Sequence, residues 1–331
     1  MAVKPILVTG GAGYIGSHTC KRMAENGWLP VVLDNLTVGH KNAVQWGPFI
    51  KADIRDTETV TRTLKDHNIT MVMHFAASAY VGESVENPSK YYDNNVGGMI
   101  SLLKACRMAG ADKFILSSSC ATYGIPATLP ITEDTRQVPI NPYGRTKLMC
   151  EEMLRDFATA YSTRHVILRY FNACGADPDG ILCENHTPET HIIPLALMAA
   201  TGKTPPLQIF GTDYETTDGT CVRDYIHVVD LAEGHVLAAS ALAQGGESLA
   251  VNLGSGTGLS LLEILQAIHR ITGLEVPVSY APRRAGDPPA LLADPTMAKS
   301  KLGFNCRSSD IETIIRTAAP NFGVELPDAV G

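Results

Sequence analysis

Three glycines at positions 10, 13 and 16, set directly behind an apolar run at 5–9, constrain this chain more than any other feature. A buried strand, a glycine turn and a helix, in that order, make a cradle for a dinucleotide. The glycines let the backbone turn tightly and approach a pyrophosphate with no Cβ in the way. The helix behind them aims its free N–H groups and positive dipole end at the phosphates. Eighteen residues past Gly16 a second apolar run, 30–33, ends in Asp34 and Asn35. A carboxylate at that point holds both ribose hydroxyls and repels a 2′-phosphate, which favours NAD over NADP. The glycine spacing is G-x-x-G-x-x-G rather than the commoner G-x-G-x-x-G.

Strand-like and helix-like segments alternate through the first half. Apolar runs at 49–53, 71–76, 113–117 and 166–170 are separated by helical patterns near 56–67, 88–109 and 142–161. Such alternation predicts an α/β protein with a Rossmann-type, doubly wound parallel sheet covered by helices on both faces. Beyond Asn172 the pattern loosens into Gly-, Pro- and Asp-containing loops. The expected organisation is an NAD-binding Rossmann domain at 1–171 and a smaller C-terminal substrate-binding region at 172–331. Residues 223–241 return to pack on the first domain.

Composition narrows the function classes. A net charge of -7 and a pI near 5.8, with no basic run, argue against a nucleic-acid partner. No apolar stretch reaches the roughly 18 to 20 residues of a membrane span. The chain enters a strand by residue 5, which leaves no room for a signal peptide, and its eight cysteines contain no C-x-x-C pair. A cytoplasmic location with reduced thiols is expected. Cys183, His186 and His191 raise the idea of a metal site. Their loop offers no evident fourth ligand, so no metal is expected.

The reacting groups are read from two places. Tyr143 and Lys147 are four apart on the 142–161 helix, hence on one face, and no other of the 11 tyrosines has a lysine at that spacing. A phenol is a weak base near neutral pH; a neighbouring ammonium and a cationic nicotinamide ring would draw its pKa down. Ser117, Ser118 and Ser119 end the fifth strand, where an open α/β sheet presents its chemistry. One of them is expected to relay a substrate proton to Tyr143, and another only to satisfy the strand end.

At 10–16, 33–36, 74–77, 81–84, 91–96, 117–124, 141–147, 168–172, 218–228 and 283–287 the chain resembles the extended short-chain dehydrogenase/reductase family. Within it the chain is similar to the UDP-sugar 4-epimerases, and the 218–228 and 283–287 blocks are the most specific. The resemblance implies NAD-dependent epimerisation at C4 of a UDP-sugar, UDP-glucose or UDP-galactose, through a transient 4-keto intermediate. It implies Tyr143, Lys147 and Ser119 as catalytic residues. It implies NAD contacts from Gly10, Gly13, Tyr14, Ile15, Gly16, Asp34, Asn35, Asp53, Ile54, Phe75, Ala76, Asn94, Ser117, Tyr143, Lys147 and Tyr170. The UDP-sugar would meet Ser119, Tyr143, Asn172, Phe210, Arg223, Arg284, Asp287 and Leu291, and the chain would form a homodimer through the helices near 88–109 and 142–160. Two arginines can clamp a diphosphate, and an aromatic ring can pack on uracil. Two positions depart from the family pattern: Ala79 stands where many members carry lysine, and His191 where they carry asparagine. UDP-arabinose/UDP-xylose 4-epimerisation is an alternative. Dehydration is disfavoured, because Cys120 and Ala121 stand where dehydratases keep an acid pair. A non-catalytic NAD sensor is disfavoured by the intact Tyr143–Lys147 pair.

Overall fold

A computed structural model describes residues 4–284 and 287–326; Ala285 and Gly286 of the 283–287 motif lie outside the described residues. The first half runs β1 (Lys4–Thr9), α1 (Tyr14–Glu25), β2 (Trp28–Asp34), β3 (Phe49–Lys51), α2 (Thr57–Asp66), β4 (Met71–His74), α3 (Val81–Glu86), α4 (Pro88–Tyr91), α5 (Gly98–Ala109), β5 (Lys113–Ser119), α6 (Pro142–Tyr161) and β6 (Arg164–Tyr170). The second runs β7 (Asn172–Cys174), α7 (Ile192–Ala200), β8 (Leu207–Phe210), β9 (Val222–His227), α8 (Val228–Ala243), β10 (Leu249–Leu253), β11 (Gly258–Ser260), α9 (Leu261–Thr272), β12 (Val278–Ala281), β13 (Ala290–Leu291), α10 (Thr296–Leu302) and α11 (Ile311–Ala318).

Seven strands form one parallel sheet in the order β10-β6-β5-β4-β1-β2-β3. The central strands are buried on both faces, so they read as continuous apolar runs rather than alternating ones. One face packs Ile6, Val8, Val32 and Ile115 with Met23 of α1 and Leu231 and Leu242 of α8. The other packs Leu7, Leu33, Val72 and Leu116 with Leu64 of α2, Leu102 of α5 and Leu154 of α6. The strand order reverses between β1 and β4, which opens a crevice at their carboxyl ends.

The seventh strand, β10, comes from the second half and had no counterpart among the expected strands. Its preceding helix, α8, packs against α1. The rest of the second half builds around β9. Strand β11 pairs antiparallel on one edge of β9, while β13 and β7 pair parallel along the other, end to end. A separate apolar core of α7, α9 and α11 supports this smaller sheet.

The helix expected over 88–109 is interrupted. Between α4 and α5 the chain widens into a π-helical stretch, Tyr92–Gly97. There the Asn95 side chain is buried: its Oδ1 accepts from Ser78 N (2.8 Å), and its Nδ2 donates to Ser78 O and Thr146 Oγ1 (both 3.0 Å). Seating that amide requires the extra residue per turn, and π-bulges of this kind recur beside functional sites. The expected strand 71–76 also stops at His74, because Phe75 N and Ala76 N both donate to Thr9 O (2.9 and 3.1 Å) and the chain bends over the end of β1.

Candidate active site

The three glycines of the cradle do different work. Gly10 sits at φ +75, and a Cβ there would lie 2.5 Å from Ala76 N. A Cβ on Gly16 would lie 2.2 Å from Gly10 O, so this glycine lets α1 close on the turn. Gly13 is the extended N-cap of α1, and a Cβ there would meet only Gly10 O, at 3.4 Å. The fold itself tolerates a side chain at 13; open space for a ligand is what requires glycine there. The amides of Tyr14 and Ile15 begin the helix at this opening.

Asp34 ends β2 beside it. One carboxylate oxygen accepts from Ala12 N (3.1 Å) and the other from Leu36 N (2.8 Å), which fixes the group while leaving lone pairs for a diol. Burial raises its pKa, and those two backbone bonds work against that rise. Asn35 Nδ2 donates to Asp53 Oδ2 (3.1 Å), and Arg55 forks onto Asp53 at 2.8 Å through each nitrogen. The Arg55 bonds hold the Asp53 carboxyl well below the usual range. Ile54 is buried against Gly98. Phe75 and Ala76 form the facing wall, and Asn94 lies on the π-helical stretch, donating to Asn95 Oδ1 (3.0 Å). A Cβ-free turn, a helix N-terminus and a seated carboxylate together fit NAD.

The residues expected to react converge because two local features place them. Asn141 caps α6 by accepting from Gly144 N (2.8 Å), with Pro142 in the first turn. Gly144 then lies so close to Ala121 that a Cβ would come within 2.4 Å of Ala121 O. This contact brings the start of α6 against the end of β5. Lys147 Nζ lies 5.9 Å from the Tyr143 ring centroid and donates to Ser117 O (2.8 Å). Ser117 Oγ donates to Tyr170 Oη (3.1 Å) and sits 3.3 Å from His235 Nε2. Ser118 donates to the buried Glu151 (2.6 Å), so it is the serine that serves the fold. Ser119 Oγ accepts from Ala121 N (3.2 Å).

The protein's own groups around Tyr143 oppose its ionisation. Burial of Tyr143 dominates and raises its pKa; Tyr170 adds to the rise, while the Ser119 hydroxyl opposes it. Burial also lowers the Lys147 ammonium. A dry site penalises both charged forms at once.

Of the residues expected to hold the UDP-sugar, Asn172, Arg223 and Leu291 lie on the β9 sheet, whereas Phe210 ends β8, which pairs with β12 in a separate two-stranded sheet. Asn172 Nδ2 donates to Asp224 O (2.9 Å). Arg223 forms a short ion pair with Asp287. Leu291 stands opposite Arg223 in the β13 register and packs with Tyr123, Ile131, Phe171 and Ala293. The Arg284 guanidinium lies 3.9 Å above the Phe210 ring.

Three features escaped the sequence reading. His235, from α8, packs its ring 4.6 Å from Phe75 and reaches Ser117; no local motif marks it. Asp224 accepts from Ser255 N (2.8 Å), Gly256 N (3.0 Å) and Ala293 N (3.1 Å), tying the β9 sheet to the loop after β10. At the loop of Cys183, His186 and His191, the cluster leaves Cys183 aside and adds Glu184 and Glu189, so the four-donor count that seemed short is complete. The two glutamates carried no signal because acidic loop residues are ordinarily solvated.

With this geometry the chain belongs to the NAD dependent epimerase/dehydratase family, whose model matches residues 6–254. Its relatives are narrower than the family. A UDP-glucose 4-epimerase of Rhizobium meliloti is 52% identical over 299 residues, covering 90% of this chain and 91% of that protein. The crystal structure of UDP-glucose 4-epimerase from Brucella ovis in complex with NAD is 59% identical with a TM-score of 0.96, covering 98% of this chain and 100% of that one. The UDP-glucose-4-epimerase of Stenotrophomonas maltophila, with bound NAD and formylated UDP-arabinopyranose, is 39% identical with a TM-score of 0.94, covering 97% and 98%.

Proposed function

We propose that the protein interconverts UDP-glucose and UDP-galactose at C4 as an NAD-dependent epimerase, with Tyr143 as the base and acid. The observation that carries this reading is the meeting of Tyr143, Lys147 and Ser119 at the end of β5, between the NAD cradle and the β9 sheet. When bound, NAD would supply the reversible hydride acceptor for C4 and a positive charge that favours the phenolate. Tyr143 takes the proton of the 4-hydroxyl, with Ser119 bridging, and hands it back once the sugar has turned. Lys147 holds the strand end through Ser117 O and keeps positive charge beside the phenol. Asp34 and Asn35 seat the adenosine ribose; Asp53, Ile54, Phe75, Ala76, Asn94 and Tyr170 enclose the rest of the cofactor.

Arg223 and Arg284 neutralise the diphosphate, Phe210 packs on the uracil, Asp287 and Asn172 fix the ribose side, and Leu291 walls the sugar. This arrangement holds the nucleotide while the 4-keto sugar is free to swing. The division of labour places NAD on 1–171 and the sugar nucleotide on 172–331, with residues 223–241 bridging. The working form is a cytoplasmic homodimer. Met108 of α5 and Met149 and Tyr161 of α6, all exposed, give those helices an apolar surface for the contact. No helix of the described residues is long and apolar enough to cross a membrane.

A second reading takes a pentose, UDP-arabinose and UDP-xylose, and the Stenotrophomonas structure with its pentose nucleotide favours keeping it in the test. Incubation with each UDP-sugar, followed by proton NMR of the C4 configuration, decides. Inversion of UDP-galactose supports the hexose assignment; turnover confined to pentoses replaces it, and net NADH release points to a dehydrogenase.

A further inference from the structure

The loop between β7 and α7 is tied to α1 and to His40 beside the cradle. Asp177 accepts from Lys21 of α1 (2.6 Å), His40 Nε2 meets Asn185 O (3.0 Å), and Tyr14 Oη donates to Gly175 O (2.6 Å). Within this loop Glu184, His186, Glu189 and the more exposed His191 each offer one donor atom, and the four atoms lie within 4.8 Å of one another. Glu184 Oε1 is 3.2 Å from His186 Nδ1 and in closer contact with His191 Nδ1. The two Glu189 oxygens are each 3.7 Å from one of the same two nitrogens.

Two observations separate this group from a solvated polar patch. The carboxylates are interior, with side-chain exposures of 4% for Glu184 and 6% for Glu189. His186 Nδ1 is buried and makes no hydrogen bond, although a carboxylate oxygen faces it. A buried nitrogen beside carboxylates, yet outside hydrogen-bond geometry, is costly unless another group binds it. Two imidazole nitrogens and two carboxylate oxygens converging on one point, all from an eight-residue run, make a closed four-donor N2O2 set. Imidazole nitrogen and carboxylate oxygen are both ligands of zinc, and four protein donors would leave no open position of the kind catalytic sites keep.

We propose that Glu184, His186, Glu189 and His191 bind one divalent transition-metal ion of the zinc class, which pins the 177–191 loop beside the dinucleotide cradle. The His186 ring stands edge-on to Tyr14 and Tyr80, at 6.0 and 6.2 Å, so the ion would brace the residue that follows Gly13. Its role is structural, because all four donors belong to the loop and none reaches the Tyr143 centre. Binding displaces any protons on the two imidazoles, so it weakens as pH falls.

The test uses the full chain with its NAD retained. After dialysis against a chelator, zinc and cobalt(II) are titrated separately. The expected result is one ion per chain by elemental analysis, visible cobalt bands of four-coordinate intensity that zinc bleaches, and a rise in Tm with zinc. Both His186→Ala and the conservative Glu189→Gln should lose the cobalt bands and the Tm rise, and affinity should drop at least tenfold in each. Glu189→Gln keeps the test valid should His186→Ala misfold. A wild-type protein that retains no ion, or binding that survives both substitutions unchanged, overturns the site and leaves the four residues as an ion-pair cluster.

Discussion

At the residue scale the proposed chemistry rests on a tyrosine whose surroundings oppose its ionisation. Tyr143 is buried, and burial raises its pKa. In the proposed mechanism, charge on the phenol therefore depends on the bound cofactor, on Lys147 and on Ser119. Tyr143→Phe removes the base while keeping the ring and its packing. It should leave NAD retention nearly intact and cut turnover by roughly a hundredfold or more. Ser119→Ala should cost less, and the double variant less than the sum, since both serve one proton transfer. Near-normal kcat in Tyr143→Phe would remove it from the mechanism. Leu291 gives a second residue-level prediction. It packs beside Tyr123 and Phe171 and stands opposite Arg223; on the proposed reading its branched side chain limits the room for an acetamido group. Leu291→Ser should raise kcat/KM for UDP-N-acetylgalactosamine relative to UDP-galactose, relieving a clash of about 1 to 3 kcal/mol. An unchanged ratio would take Leu291 out of the sugar pocket.

At the element scale, the β1–α1 junction separates glycine that the fold needs from glycine that a ligand needs. A Cβ on Gly16 would collide with Gly10 O at 2.2 Å, whereas on Gly13 it would only touch that oxygen at 3.4 Å. Gly16→Ala should therefore lower Tm and lose NAD together. Gly13→Ala should keep the Tm of the cofactor-stripped protein while losing NAD, as measured by cofactor released on denaturation. Equal effects of the two on the stripped protein would contradict this division. These elements were legible in the sequence: α6 spans 142–161 as expected, because its Asn141 cap, early proline and apolar spacing are local signals. The π-helical widening at 92–97 was not legible, since it exists only to seat Asn95 against Ser78 and Thr146, residues distant in the chain.

At the scale of the whole molecule, three buried histidines set a pH limit. Burial lowers His74 to about 3, and His227 and His235 to about 4. In the unfolded chain each titrates near 6.5. Their folded pKa values are depressed, so the stability they contribute is complete above about 6.5 and is lost as pH falls from there towards 4. At pH 5 each should cost on the order of 1 to 2 kcal/mol. Tm should fall steadily between pH 6.5 and 5, above the range where most carboxylates titrate; a flat Tm would show that these rings are hydrated or already charged. Purified protein should also carry NAD without any being added, because the carrier survives every turnover, and an empty preparation would count against the epimerase reading. Light scattering should give twice the 35.5 kDa chain mass; a monomer would dissolve the proposed helix contact.

What the chain determined by itself follows from short-range physics. Strand, glycine turn and helix at 4–25, the acid at the end of β2, and the tyrosine and lysine one turn apart on α6 are all specified within a few dozen residues. Burial on both faces made the strands readable, and helical spacing between them made the helices readable. The tertiary structure decided the rest, because those features depend on which distant segments meet. It brought β10 into the first sheet and His235 against Ser117. It joined Arg223 to Asp287 and gathered Glu184 and Glu189 around two histidines. It also set the sign of the Tyr143 shift, because a sequence names a residue's neighbours along the helix but not how much water the finished fold takes away from it.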